Sequence, residues 1–301
     1  MDLSRIDTER VNPNTLHIDG EPTSGILRLI NQEDKLVAQA VEAVLPEVGQ
    51  AVDLIYERLK QGGRLIYLGS GTSGRLGVLD AVECPPTFGV EPELVVGLIA
   101  GGPSAFVRAK EGAEDDRQAG EDDLKAIQFS AADALVGIAA SGRTPYVLGG
   151  MAYAKSLGAP VIGLCCTANA QLQQYADVTI APLCGPEALT GSTRMKSGTA
   201  QKMVLNMLST AVMIKLGKVY GNLMVDVKAT NKKLEQRAIN IVKMATGADD
   251  QLAKETLDNC GGNCKKAIVC IKCSVGREKA EALLDAAEGH ISGALKACGV
   301  E

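Results

Sequence analysis

The chain has 301 residues and a mass of 31.4 kDa, enough for one large α/β domain with an appendage or for two domains, and its 46% hydrophobic content supplies an ample core. Aromatic residues make up only 3%, with no Trp, so that core must be aliphatic and rich in small residues, and the stacking platforms of single-strand binders are missing. A net charge of −5 opposes wrapping of a phosphodiester backbone, and no apolar run approaches the roughly 20 residues of a membrane span, so neither nucleic acid nor membrane is expected as a partner.

The opening residues, Met1 to Asp7, show no hydrophobic signal core, and the chain reads as cytoplasmic. From Ile26 to Leu59 apolar residues recur at helical spacing, among them Val37, Val41, Val48, Val52 and Ile55, which predicts two amphipathic helices or one helix kinked at Pro46. Gly62-Gly63 stops that run, and Arg64 to Leu68 begins the first strand. A short helix follows from about Arg75 to Glu83, closed by Pro85-Pro86. The alternation continues with a strand at Leu94 to Ala100, a helix at Ser104 to Gly120, a strand at Ala134 to Ala140 and a helix at Pro145 to Leu157. Then come a strand at Pro160 to Leu164, a short helix at Ala170 to Tyr175 and a strand at Asp177 to Ala181. A long helix from Met195 to Leu216 is lined by Met203, Val204, Met207 and Leu208, and its methionines read as core filler. Beyond Arg237, helical segments separated by glycines make a small appendage, while the acidic run Glu111 to Asp123 reads as a solvated helix face.

Strands alternating with helices predict an α/β fold built on a doubly wound parallel sheet. Residues 1–60 are then an N-terminal helical segment packed on that sheet, 61–238 the sheet domain itself, and 239–301 a small helical C-terminal domain.

Three strand-to-helix junctions carry the chemistry. Leu68-Gly69-Ser70-Gly71-Thr72-Ser73-Gly74-Arg75 offers glycines for a close backbone approach, together with free amides at a helix start, where an oxyanion is stabilised. Its glycine spacing satisfies GxGxxG, but the acidic residue that would hold a dinucleotide ribose at the end of the next strand is missing. The hydroxyls of Ser70, Thr72 and Ser73 suit a terminal phosphate instead. A second junction repeats the pattern in Ser141-Gly142-Arg143-Thr144, and a third presents Ser192-Thr193-Arg194-Met195-Lys196. Any one of these is equally well an N-capped turn, and Arg143, Arg194 and Lys196 are either ligand cations or members of surface ion pairs. Three such loops on one sheet gather where ligands bind in folds of this kind.

Nine cysteines suggest no disulfide framework. Cys270 and Cys273 have CxxC spacing beside Cys260 and Cys264, but Cys270 sits in an apolar stretch and reads as a buried thiol. His17 and His290 are far apart, so no metal centre is expected.

The paired hydroxyl loops resemble the sugar isomerase (SIS) domain, a doubly wound phosphosugar-binding fold. Nearly the whole chain, least so the segment Cys260 to Cys273, resembles the N-acetylmuramic acid 6-phosphate etherase family through Leu68 to Leu76, Asp80-Ala-Val-Glu-Cys-Pro-Pro-Thr-Phe88, Gly137 to Pro145, Gly185-Pro-Glu-Ala-Leu-Thr-Gly-Ser-Thr-Arg-Met-Lys196, and Met224 to Lys233. The Thr8-Glu9 and Asn12 positions and the stretch Thr15 to Asp19 also fit. The resemblance implies cleavage of a lactyl ether by elimination and water addition, with a phosphosugar substrate, a homodimer, and neither metal nor cofactor. It assigns Glu83 as the acid that protonates the leaving lactate oxygen and Glu114 as the base at C2. Glu83 stands at the predicted end of a helix, a position that suits a proton donor. No spacing rule selects Glu114 from Glu111, Asp115 and Asp116. Ser70, Thr72, Ser73, Ser141, Thr144, Ser192 and Thr193 are the candidate contacts to phosphate and sugar. Two other activities share this fold's ligand: a sugar-phosphate-responsive regulator like the vertebrate glucokinase regulatory protein, and a phosphosugar isomerase.

Overall fold

A computed structural model of the chain describes residues 7–226 and 232–300. The Met1 to Ile6 opening and residues 227–231 of the Met224 to Lys233 motif lie outside that description. The apolar spacing at the start resolves into two helices, α1 (Thr23–Glu42) and α2 (Leu45–Lys60), because Pro46 falls in the first turn of α2, where its missing N–H costs nothing.

Five parallel strands follow: β1 (Leu65–Gly69), β2 (Val95–Ile99), β3 (Ala134–Ile138), β4 (Val161–Leu164) and β5 (Val178–Ile180). They stand in the order β2-β1-β3-β4-β5. All residues of β1, β3 and β4 are buried, as expected of strands covered on both faces. Side chains alternate between the faces. Ile66 and Leu68 join the core built by α4 (Arg117–Ala126) and α5 (Pro145–Ser156). Tyr67 turns the other way, against Gly77 of α3 (Gly71–Phe88). The fold is therefore the doubly wound α/β sheet that the alternation predicts.

The order has a direct consequence. The chain leaves β1 toward β2 on one side and returns to β3 on the other, so a switch point opens beyond the carboxyl ends of β1 and β3. Ligand crevices form at such points.

Three predicted elements differ. The helix after β1 begins at Gly71, not Arg75, since the Gly74 N–H already donates to the Ser70 carbonyl at 3.1 Å. It also runs through Pro85 and Pro86 to Phe88, closed by Gly89 N–H on the Pro85 carbonyl at 2.9 Å. The two prolines deprive the Ala81 and Val82 carbonyls of their helical donors, and burial of Cys84 and Phe88 offsets that cost. Glu83 thus lies more than a turn before the helix end, and the helix-end argument for a proton donor lapses. The helix predicted over Ser104 to Gly120 is instead a 3-10 turn at Pro103–Phe106, then a loop, then α4, which starts only where the Asp116 carboxylate accepts the Ala119 N–H at 3.0 Å. The short helix near residue 170 is a 3-10 turn, Gln171–Gln174.

After β5 comes α6 (Lys196–Lys215), then a hairpin missed in the sequence, β6 (Val219–Tyr220) with β7 (Leu223–Met224), and five helices, α7 (Lys232–Thr246), α8 (Asp250–Asn259), α9 (Cys264–Cys273), α10 (Arg277–Ala286) and α11 (Ile291–Ala297). The chain packs as two compact units, Met1–Val82 with Pro92–Ser209, and Glu83–Glu91 with Thr210–Glu301. Each has its own core, the second built from residues such as Val242, Ala253, Ile268, Leu284 and Leu295. Among the described residues no helix is long and apolar enough to cross a membrane.

At the amino ends of the strands, Asp133 is buried and accepts from the Arg64 backbone N–H and side chain and from the Ser130 N–H. Burial pushes its carboxyl up, but the Arg64 guanidinium and the Ser130 N–H outweigh burial and hold it below the usual aspartate value. Asp133→Asn is expected to lower the unfolding free energy by about 3 kcal/mol at neutral pH, read by urea denaturation. A depressed carboxyl contributes its stability above the ordinary aspartate range and loses it as pH falls through the folded value, so the deficit should shrink in acid.

Candidate active site

The first loop depends on a contact that only glycines permit. A Cβ on Gly69 would lie 2.7 Å from the Gly74 nitrogen, and one on Gly74 would lie 2.6 Å from the Gly69 carbonyl oxygen. The loop therefore folds directly onto the end of β1, and α3 begins at once, with its first-turn amides at the carboxyl edge of the sheet. Ser73 is buried and donates its hydroxyl to Gln201 Oε1 at 2.9 Å, tying the start of α3 to α6. Thr72 approaches the same helix, its Cγ2 standing 3.4 Å from where a Gly198 Cβ would be. The first and third loops are thus neighbours.

In the second loop Gly142 adopts a left-handed conformation at φ 63°, and a Cβ there would meet the Ala170 Cβ at 2.3 Å. Arg143 donates to the Asn169 carbonyl at 3.3 Å, while its buried Nε has no partner among the described residues. Thr144 caps α5 without using its side chain. The hydroxyls of Ser70, Thr72, Ser141, Thr144, Ser192 and Thr193 make no hydrogen bond among the described residues.

The third loop is organised from inside. Glu187 is fully buried and accepts the Lys196 N–H at 2.8 Å and the Ser197 N–H at 2.9 Å, so its carboxylate takes up the amides that open α6. Lys196 is 1% exposed and pairs with Glu33 of α1 at 2.6 Å. Burial pushes the Glu33 carboxyl up, but Lys196 and the amides of Asn14 and Asn12 outweigh it and hold it low. Asn12 donates to the Pro186 carbonyl and Thr15 to the Ala188 carbonyl, so the N-terminal segment grips the loop. Arg194 is exposed.

Glu114 lies on the loop that replaces the predicted helix. Its carbonyl accepts the Tyr146 N–H at 3.0 Å, which fastens it to the start of α5, immediately after the second loop. The competing carboxylates separate by role: Asp116 is spent as the α4 cap, whereas Glu111 and Glu114 line a cleft of about 200 Å³ together with Ser70, Gly71, Arg75 and Lys110. Two of those liners were not predicted. Arg75 donates to the Ala105 and Phe106 carbonyls, both at 2.8 Å, and Lys110 to the Gly101 carbonyl at 2.6 Å, so they brace the wall while bringing positive charge to it. The repeated Ser-Gly-Arg was the available signal for Arg75; nothing in the spacing marked Lys110.

Asp80, one turn before Glu83, is buried and accepts from Tyr67 at 2.8 Å, Asn206 at 2.6 Å and Ser209 at 3.2 Å. Desolvation raises its carboxyl despite these donors. The three bonds hold α3 against β1 and α6. Glu83 itself is exposed on α3 and belongs to the Glu83–Glu91 stretch of the second unit.

The sheet, its switch point and the three loops define a SIS-type domain. Residues 47–155 match the glucokinase regulatory protein N-terminal SIS domain and residues 117–211 the SIS domain. A solved structure described as a "putative phosphosugar isomerase involved in capsule formation", from Bacteroides fragilis, superposes with a TM-score of 0.50 at 21% identity, covering 65% of this chain and 94% of that one. Similarity to curated relatives extends end to end. The chain is 55% identical to an N-acetylmuramic acid 6-phosphate etherase of Caldanaerobacter subterraneus over 98% of this chain and 97% of the relative. It is 56% identical to one from Vibrio cholerae, over 98% of each, and 52% to one from Bacillus subtilis, over 98% and 97%. The chain belongs to the N-acetylmuramic acid 6-phosphate etherase family.

Lys196→Ala would leave Glu33 buried without its cation, while Glu187 keeps the backbone amides of residues 196 and 197. The expected loss is about 3–5 kcal/mol of unfolding free energy in urea titration; a loss within error contradicts the burial of this pair.

Proposed function

We propose that this chain cleaves the D-lactyl ether of N-acetylmuramate 6-phosphate, giving N-acetylglucosamine 6-phosphate and D-lactate, as part of cell-wall amino sugar recycling. The supporting observation is that Ser70 of the phosphate-type loop and Glu114, the base implied by the family, line one cleft in a chain similar to these etherases from end to end. An unactivated ether resists water. Opening the sugar ring exposes an aldehyde that acidifies the C2 proton, so a positioned base and acid accomplish what water alone does not.

In this reading the amides and free hydroxyls of the first loop take the phosphate, and the second and third loops contact the sugar through Ser141, Thr144, Ser192 and Thr193. Glu114 removes the C2 proton, lactate leaves from C3 as Glu83 protonates its oxygen, and water adds to the resulting double bond. Arg143 and Arg194 contribute positive charge. Lys196 acts indirectly, by holding the third loop through Glu33 and α6.

The direct test is release of D-lactate from N-acetylmuramate 6-phosphate. Folded protein that releases none contradicts the activity, and binding without release favours the regulatory reading suggested by the glucokinase regulatory protein match. Glu83→Ala and Glu114→Ala should each reduce kcat by about a hundredfold to ten-thousandfold. In deuterated water the Glu114 variant should also lose exchange at C2. Unchanged exchange assigns the base elsewhere.

The same reading makes the protein a cytoplasmic homodimer. Light scattering should return twice the 31.4 kDa chain mass, and a monomer mass contradicts that assembly.

A further inference from the structure

The crowded cysteines of the second unit serve neither the loops nor the cleft. Cys260 caps the carboxyl end of α8, Cys270 lies on α9, and their Sγ atoms stand 3.8 Å apart. One turn further along α9, Cys273 neighbours Cys298, which caps α11. All four are free thiols, Cys260 buried and the other three half-buried. The CxxC spacing thus splits between two pairs: each of its cysteines faces a partner from another helix. No group of three or more His, Cys, Asp or Glu is gathered for a metal ion among the described residues. A dithiol needs no third partner to become a disulfide. The turn between α8 and α9 sets the separation, with Gly262 N–H on the Leu257 carbonyl at 2.9 Å and Asn263 capping α9 through the Lys266 N–H. A disulfide requires sulfurs about 2.05 Å apart, so the pair is already in contact and must close by about 1.8 Å.

We propose that Cys260 and Cys270 are a dithiol modification site, which a low-molecular-weight disulfide closes into an intramolecular bond. The half-buried Cys270 loses its proton to solvent and attacks one sulfur of the reagent, expelling one thiolate and forming a mixed disulfide. Cys260, likewise deprotonated, then attacks the Cys270 sulfur and expels the second thiolate. Two protein thiols are oxidised, one reagent disulfide is reduced to two thiols, and the two protons end on those products. The new bond ties the end of α8 to α9.

Burial pushes the Cys270 thiol up to about 12, reinforced by Cys260 from α8, Cys273 on its own helix and Glu278 from α10. Thiolate is therefore scarce at neutral pH, and exchange should quicken by about tenfold per pH unit over the mildly alkaline range.

The test uses the full-length native protein with cystamine as probe, followed by acid quenching, alkylation, digestion and mass spectrometry. The expected product is a peptide linking Cys260 to Cys270, with two of the nine thiols lost to titration in denaturant and both restored by dithiothreitol. Cys260→Ser should instead accumulate cystamine on Cys270. A stable mixed disulfide on Cys270 of the unaltered protein, or a Cys273–Cys298 link formed while Cys260 and Cys270 remain alkylatable, overturns the proposal. These readouts do not involve lactate release, so they stand or fall separately from the etherase activity.

Discussion

The contact between Gly69 and Gly74 is the constraint on which the site depends. With any side chain at either position the loop must move away from β1, and the first turn of α3 no longer meets the sheet edge. That turn supplies the backbone donors of the first loop, places Ser73 within reach of Gln201, and sets Asp80 where Tyr67, Asn206 and Ser209 can reach it. Because β1 and β3 flank the switch point, a displacement here separates the first loop from the Glu114 segment, which is fastened to the chain just after β3 through Tyr146.

The protein also divides its polar groups between building and binding. Glu187 takes the first amides of α6, Glu33 takes the charge of Lys196, and Ser73 gives its hydroxyl to Gln201. Among the described residues, short hydroxyls on the three loops stay without a hydrogen bond, and Glu111 and Glu114 line one cleft. A site composed this way suits a polar, anionic sugar better than a flat aromatic ligand. The scarcity of aromatic residues fits the same pattern: fully buried Tyr67 and Tyr146 each donate to a carboxylate, Asp80 and Asp123.

Much of this was legible in the amino-acid sequence. The strands were, since burial on both faces writes them as uninterrupted apolar runs such as Leu65 to Leu68 and Ala134 to Ile138. The extent of α3 was not, because its first turn is glycine-rich and its last contains two prolines, so local propensity opposes a helix that tertiary packing enforces. Residues 104–116 were misread because carboxylates and alanines imitate a helical face, while the structure-making signal was the single cap at Asp116. The first two hydroxyl loops share Ser-Gly-Arg in the sequence, and the third stands out by Ser192-Thr193-Arg194. Pattern alone does not separate Glu114 from Glu111, Asp115 and Asp116, and the sequence leaves Lys196 open between ligand cation and surface ion pair because its buried partner Glu33 is 163 positions away.

In the proposed reaction the sugar is activated at C2 and loses lactate by scission of the bond between C3 and oxygen. Running the reaction in heavy-oxygen, deuterated water tests it most directly. The expected products carry heavy oxygen on C3 of the sugar and deuterium at C2, with no heavy oxygen in the lactate carbinol. Heavy oxygen in that lactate position, or a C2 that keeps its original hydrogen, would contradict it.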